Sequence, residues 1–596
     1  MSSVAAMLSR RAEDHRDRVR EMLAAAPHRG QRIELVTLGE CTLGISNPDD
    51  WEESVLASRD ELAICFTGRL DNRADLSRDL RGDAPSVGEA AALPDLLLAA
   101  FRTFGIGLPN HLRGTYAVVL TDGRQLWCFR DHLGFRPLFC REDAGGIYVA
   151  SEAKQVVAGA RIPREPDLEV LTQIFYGSFD DDTPSSLKGV RRLPKATLFQ
   201  ADSGSVRLHR YWYPENLLES ARLTEEDVKA TFDWLMTRAV ARALAGNDVI
   251  SLSGGIDSPA LAAFAAPEHQ RMTGQPLAAL ATIYPHLPSV DESRYVEMIA
   301  QFLGLRLFTY ERTARPFARL RDWAALIDGP IPRLWLADAE EHYRVARQLG
   351  FRTMLTGEVA ELVVDMRDHI IPHLLWRRRF GALWRTLRAY RARGRSLRWL
   401  GQELASTFTP GFMDATRVRL RGMRNRPRIP DWLSARKVNE ATAKFLVPAR
   451  HRWRDFQLAG FSGPGLTVEA NEVCQVVCGV RVRMPWADVD LWEFFLSLPA
   501  EVKHPYPRRK ALVRQFLRGR LPDAILDRRD KTGFEDSMIE RFDYTAIRHG
   551  VIDQPYRIPG VNYARLAEHI QRQDFDIVDI RWASDLANIH AFLSLW

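Results

Sequence analysis

The sequence predicts a mixed α+β and α/β protein of two domains, ending in a helical part. Three observations carry that expectation. At 596 residues the chain exceeds what one hydrophobic core holds, so it divides. Up to about Gln200 short alternating or β-branched runs and tight turns dominate. Beyond His209-Arg210-Tyr211-Trp212 short apolar runs alternate with long amphipathic ones, the pattern of a parallel sheet with crossover helices. The expected domains are therefore 1–208 and 209–596.

The elements follow in order. Strands are expected over Ile33–Leu38, Leu62–Thr67, Thr115–Leu120, Gln125–Phe129 and Gly146–Ala150. Asp122-Gly123 and Ala144-Gly145-Gly146 supply turns between them. In the second domain Asn247–Leu252 reads as a short apolar strand, and helix formers run from Ala260 to Ala265. After about Pro372 the chain reads as mainly helical. No repeat of 20–50 residues and no low-complexity linker interrupts it.

Composition excludes several classes. With 46% hydrophobic residues the chain can bury large cores, yet no apolar run approaches the roughly 18 residues that span a bilayer. The first twenty residues turn charged at Arg10 and lack a signal-peptide core, so a cytoplasmic protein is expected. A net charge of +6 is weaker than a general nucleic-acid footprint, so no nucleic-acid partner is expected. Six cysteines are too few for a disulfide framework, and Cys474 and Cys478, one helical turn apart, read as small core residues.

One segment stands out by charge. Nine arginines lie between Arg377 and Arg398 with no acidic residue among them. Trp376, Phe380, Leu383, Trp384 and Leu387 recur at helical spacing, which predicts a packed face opposite a cationic one. The cationic face is either simply solvated or a docking surface for an anionic partner.

The chemistry sits after the 247–252 strand. Ser253-Gly254-Gly255-Ile256-Asp257-Ser258 joins a strand to a helix start, where backbone N–H groups and the helix dipole favour phosphate oxygens. Ser253 and Ser258 add hydroxyls, and the Asp257 carboxylate can hold Mg²⁺ or brace the loop. No GxxxxGK[ST] is present, and no GxGxxG joins a strand to a helix, so those nucleotide folds are disfavoured.

SGGxDS resembles the PP-loop of the N-type ATP pyrophosphatases. Motifs along most of the chain resemble those of class B asparagine synthetases. Pro27-His28-Arg29-Gly30 is similar to HRGPD, Arg130–Leu138 to RDxxGxxPL, and Tyr148–Lys154 to YxASExK. Leu187–Pro194 is similar to the interdomain KGIxxLPPG, Leu355–Glu358 to LSGE, Arg481–Asp488 to ExRxPFLD, and Asp530–Phe534 to RxKxxF. The shared order carries the resemblance. It implies an Ntn-hydrolase-like glutaminase-type domain, followed by an ATP pyrophosphatase domain that adenylates a carboxylate for attack by an amine.

The resemblance also implies roles. Ser251, Ser253, Gly254, Gly255, Asp257, Ser258 and Gly357 would bind ATP and its pyrophosphate. Lys531 takes the place of the catalytic lysine and would offset charge developing at the α-phosphorus and the acyl carbon. Glu358 would orient or deprotonate the amine. Asp257 and Glu361 would share Mg²⁺. The family's GEGSDE becomes Gly357-Glu358-Val359-Ala360-Glu361-Leu362, losing a glycine and a serine. Asp291 and Glu292 match an acidic pair of related enzymes, but Ser289-Val290-Asp291-Glu292 also fits a capping box, the reading preferred here. His28 and His132 read as structural.

The glutaminase-type half is degenerate. Family members with that activity begin Met-Cys-Gly, whereas this chain begins Met1-Ser2-Ser3, and a serine hydroxyl is a far weaker nucleophile at neutral pH. The NGE that holds glutamine becomes Thr67-Gly68-Arg69, which removes the acidic partner of the α-amine. The amine must then come from free ammonia, from within a small substrate as in β-lactam synthetases, or from a peptide N-terminus as in lasso peptide cyclases. The last group fits best. It implies a precursor peptide as substrate, with a leader peptidase and a leader-recognition protein as partners. Supplied with glutamine, the protein should release no glutamate above background; steady release in a glutaminase assay would contradict the loss read at Ser2 and Arg69.

Overall fold

The first domain is a sandwich of two six-stranded antiparallel sheets. The structure is a computed structural model and describes residues 2–10, 15–48, 54–80, 91–177, 183–221, 223–331, 335–365, 369–408, 428–443, 448–459, 461, 465–529 and 532–596. One sheet runs β10 (Arg191–Arg192), β8 (Phe139–Asp143), β9 (Gly146–Ala150), β1 (Ser3–Ser9), β3 (Cys41–Asn47), β2 (Arg32–Leu38). The other runs β12 (Val206–Arg210), β11 (Thr197–Ala201), β7 (Leu126–Arg130), β6 (Gly114–Thr121), β5 (Leu62–Leu70), β4 (Ser54–Arg59).

All five strands expected here are present, and the structure adds others, β1 among them. That strand, SVAAMLS, is rich in Ala and Ser and is buried on both faces. Val4, Ala6 and Leu8 meet Cys65, Val119 and Cys128 inside the sandwich, while Ala5 and Met7 face outer helices. The same hydrophobic cluster takes in Leu586 and Phe592 of the Ile577–Leu593 helix, so the far end of the chain shares a core with the first strand. β12 runs on to Arg210, two residues beyond 208.

The second domain holds a parallel sheet ordered β15 (Arg306–Glu311), β14 (Ala278–Ile283), β13 (Asp248–Ser251), β16 (Thr353–Leu355), β17 (Arg481–Arg483). Its two faces bury different sets: Ile250, Ala279 and Leu355 on one side, Val249, Leu280, Met354 and Val482 on the other. Burial on both faces is why these short strands read as continuous apolar runs. After Pro372 the described chain is mainly helical, as expected, and β17 is a short strand among those helices. Chain order reverses between β13 and β16, and ligands of such sheets bind at the carboxyl ends of the strands flanking that reversal.

The basic segment is corrected. It is not one helix: Phe380–Ala392 and Leu397–Ser406 are separate, and Arg378 in the left-handed region breaks the chain before the first. Ala382 and Leu383 are buried, but Phe380 and Trp384 are 62% and 63% exposed. The break shifts the phase, so residues on either side of it do not share a face.

Cys474 and Cys478 are buried free thiols on the Leu466–Cys478 helix. His132 is buried edge-on to Tyr211 and Trp212, and burial lowers its pKa to about 3, a structural setting. Among the described residues no helix is long and apolar enough to cross a membrane.

The same Leu466–Cys478 helix joins the domains. Glu472 accepts from Arg29 Nη2 at 3.0 Å and Arg136 Nη1 at 2.9 Å, and Glu469 accepts from Arg192 Nη2 at 3.0 Å. Arg29 also pairs with Glu152, which takes His28 Nε2 at 2.7 Å and Lys154 Nζ at 3.0 Å. Burial alone would raise the pKa of Glu472, but Arg29 and Arg136 outweigh it and hold it below the usual carboxylate value. Glu472→Gln removes the carboxylate that two buried guanidinium groups share and should cost about 3–5 kcal/mol. Because the folded pKa is depressed, that stability is full above the unfolded carboxylate value and fades as pH falls through the folded one. Urea melts across pH should show the gap between wild type and variant closing in acid; a gap below 1 kcal/mol at neutral pH would show that the pair does not clamp the domains.

Candidate active site

The loop after β13 lies at the reversal of strand order. Ser253 N donates to Ser258 Oγ at 2.9 Å, the two hydroxyls lie 3.1 Å apart, and Gly255 N reaches Ser253 Oγ at 3.4 Å. The following helix, Asp257–Thr273, begins without a side-chain cap, which leaves its first N–H groups for an anion. Ser251, at the end of β13, meets His342 Nε2 at 3.0 Å. Burial lowers His342 to about 3, so it is neutral, and its other nitrogen meets Tyr310.

Glu292 overturns the capping-box expectation. The helix starts at Ser293, and no side chain caps it. Asp291 instead accepts from Tyr284 N at 2.8 Å. Glu292 Oε2 accepts from Gly254 N at 2.9 Å, inside the glycine loop. Arg528 Nη1 donates to Glu292 Oε1 at 2.9 Å and to Gly254 O at 2.7 Å, and its guanidinium lies 4.0 Å from the Tyr295 ring centre. A Cβ on Gly254 would stand 2.9 Å from Arg528 Nη1 and 3.0 Å from Tyr295 Cβ, so a larger residue there would have to push these groups aside. The sequence reading missed Arg528 and also Lys510, whose Nζ pairs with Asp257. The basic run Arg508-Arg509-Lys510 before the Ala511–Phe516 helix was the available signal.

The loop after β16 packs against this one. A Cβ on Gly357 would lie 2.5 Å from Ser258 N, so glycine is what lets the two backbones meet. Val359 has φ 62°, strained for a β-branched residue, and stands where the family motif has glycine. Glu358 opens onto a cavity of about 360 Å³ between the domains, also walled by Arg69, Arg113, Arg130 and Arg483. That cavity is partly open, and Glu358 keeps accessible area in it. Removal from bulk water, with the charge of Glu361 added, raises its pKa to about 7. Asn471 Nδ2 reaches it at 3.4 Å.

Glu361 lines the other side, the cleft of about 980 Å³ that also holds Asp257, Lys510 and Arg528. Burial raises the pKa of Asp257, Lys510 opposes it, and Glu361 and Asp365 add to it. Among the described residues no three His, Cys, Asp or Glu side chains are placed to hold a metal. Two carboxylates in one cleft do fit Mg²⁺, which takes one or two carboxylates and completes its shell with phosphates and water. Lys531 lies outside the described residues; its neighbour Thr532 accepts from Arg528 Nη2 at 2.5 Å.

Phe534 lines this cleft and also a second chamber of about 980 Å³. Tyr284, Trp335, Phe175, Tyr176 and Trp582 wall that chamber, so both domains build it. In the first domain Ser2 is 1% exposed, and Arg69 pairs with Asp71.

Comparison with known proteins supplies the family. The asparagine synthase family model matches residues 231–574, and the glutamine amidotransferase domain model matches residues 1–212. A putative glutamine-hydrolysing asparagine synthetase of Mycobacterium tuberculosis is 29% identical over 36% of this chain, and the match spans 34% of that protein's own length. Asparagine synthetase 3 of Bacillus subtilis is 23% identical over 79% of this chain and 75% of its own. The carboxyethyl-arginine β-lactam synthase of Streptomyces clavuligerus is 27% identical over 34% of this chain and 39% of its own.

A carboxyl group titrating near 7 suits proton transfer at neutral pH. If Glu358 takes the proton of an attacking amine, Glu358→Gln should lower amide formation about 10²–10⁴-fold. In the wild type the rate should rise with pH through about 7 as Glu358 ionises. A pH–rate profile checks both; an unchanged profile in the variant would remove Glu358 from the reaction.

Proposed function

The chain belongs to the asparagine synthase family, and on that basis we propose that it is an ATP-dependent amide ligase that closes a macrolactam in a peptide, as in lasso peptide biosynthesis. One observation supports the peptide: Phe534 lines both the cleft at the glycine loop and a neighbouring aromatic chamber of about 980 Å³. That is the upper end of the space enclosing a drug-sized ligand, far more than aspartate needs. The altered Ser2 and Arg69 agree with an amine that does not come from glutamine.

The proposed reaction has two steps. An Asp or Glu side-chain carboxylate of the precursor attacks the α-phosphorus of ATP, and pyrophosphate leaves. The peptide's own N-terminal amine then attacks the acyl carbon, AMP leaves, and Glu358 takes the proton lost by nitrogen. Backbone N–H groups of Ser253–Gly255, with Ser251, Ser258 and Gly357 supporting the loop, would hold the nucleotide. Asp257 and Glu361 would hold Mg²⁺, which supplies charge neutralisation at the phosphates. Lys531 is proposed to offset the negative charge of both steps. Holding amine and ester within one bound molecule supplies several kcal/mol of the barrier as effective molarity. A leader peptidase would expose the amine, and a leader-recognition protein would deliver the precursor in the cytoplasm.

The similarity to a β-lactam synthase favours a second reading, a small-molecule amide ligase. Incubation with precursor, leader peptidase, recognition protein and ATP separates the two. The expected product is one water lighter than the linear peptide and has a blocked N-terminus by tandem mass spectrometry, with AMP and pyrophosphate released. A peptide that stays linear while a small β-amino acid, or aspartate with ammonia, is converted would favour the second reading. Release of ADP and phosphate would overturn adenylation itself.

A further inference from the structure

The Phe380–Ala392 helix presents an outer face that the proposed chemistry does not use. At 3.6 residues per turn, Phe380, Trp384, Arg388 and Arg391 fall within an arc of about 80°, opposite the buried Ala382 and Leu383. Two aromatic side chains more than 60% exposed on one helix face are a feature that contact with water alone does not explain. Arginines flank them, and among the described residues Arg385 and Arg388 have no carboxylate partner. From Arg377 to Arg398 the sequence holds nine arginines and no acid. Before the break at Arg378, Trp376 is also 48% exposed, with the Arg450 guanidinium 4.7 Å from its ring centre.

The direction of this helix gives the face a purpose. Its last residue, Ala392, and the next, Arg393, line the cleft that holds Gly254, Asp257 and Lys510. Arg393 is fixed there by donation to Pro507 O at 3.1 Å. A chain lying along the face therefore ends at the mouth of the nucleotide cleft. The helix is about 20 Å long, the span of about six extended residues.

We infer that the outer face of the Phe380–Ala392 helix docks an acidic, aromatic- or aliphatic-bearing segment of the peptide substrate and leads it into the nucleotide cleft. The inference rests on the proposal that the substrate is a peptide. Carboxylates of the segment pair with Arg385, Arg388 and Arg391, and its apolar side chains cover Phe380 and Trp384. Arginine suits this use because its planar fork binds carboxylates in pairs and stacks on rings.

The test uses the full chain and a short fluorescein-labelled peptide in which Glu alternates with Leu and Phe. Its control is the same peptide with Gln for Glu. Fluorescence anisotropy should show the acidic peptide binding at low salt and the Gln peptide binding more weakly. Replacing both unpaired arginines together (Arg385→Glu with Arg388→Glu) should weaken binding about tenfold or more, since attraction becomes repulsion. Trp384→Ala should weaken it while leaving the thermal midpoint and ATP binding unchanged. Equal affinity of wild type and both variants, or no binding to wild type, overturns the inference. So does binding of the wild type to phosphatidylserine vesicles with none to the peptide, which would make the face a membrane surface. Cyclisation of a precursor at the wild-type rate by both variants removes the docking face and leaves the cyclase reading standing. Loss of peptide binding in both variants, with no precursor ever cyclised by wild type, keeps the face and removes the cyclase reading.

Discussion

The two halves of this molecule are held by carboxylates that the second places inside the first. Glu469 and Glu472 stand one turn apart on the Leu466–Cys478 helix and take three arginines from the first domain, Arg192, Arg29 and Arg136. Buried charges of this kind persist only when every partner is present. The same helix carries Asn471, which receives Tyr343 OH at 2.7 Å and reaches Glu358 at 3.4 Å. One buried helix thus fixes both the domain interface and the group proposed to move a proton. This gives a physical reason for keeping a first domain whose glutamine-handling residues are changed. Its His28, Arg29, Arg136 and Glu152, all within recognisable motifs, form the ion-pair network, and Phe175 and Tyr176 wall the aromatic chamber.

Legibility in the sequence followed locality. The glycine loop between β13 and its helix was readable because strand, turn and helix start are contiguous, and strands β5 and β6 were readable from their β-branched and aromatic runs. β1 was not, because its Ala- and Ser-rich run carries little strand propensity. The carboxylate of Glu292 was misread for a related reason. Its local pattern fits a helix cap, and only the approach of Arg528, 236 residues away along the chain, turns it towards Gly254. Lys510 and the outward aromatics of the Phe380–Ala392 helix were likewise set by tertiary placement, which propensity does not encode.

Two features of the site are held against local preference. Val359 keeps a left-handed backbone that costs a β-branched residue about 1–3 kcal/mol. Its side chain packs on the core beside Leu362, which holds the turn in place and fixes where Glu358 points. Glu292 occupies the backbone N–H of Gly254 and is itself paired with Arg528. Under the proposed reading, a nucleotide phosphate entering the loop would compete with that carboxylate for the N–H.

The position of β17 has a consequence for how the protein is made. β16 ends at Leu355, but the strand that covers its outer edge begins only at Arg481. At the pace of the ribosome the roughly 125 intervening residues take about 6–25 s to emerge. Throughout that interval the nascent sheet presents an open edge able to pair with another chain. The stretch between the two strands therefore sets a waiting time, during which that edge is open to pairing with a neighbouring chain.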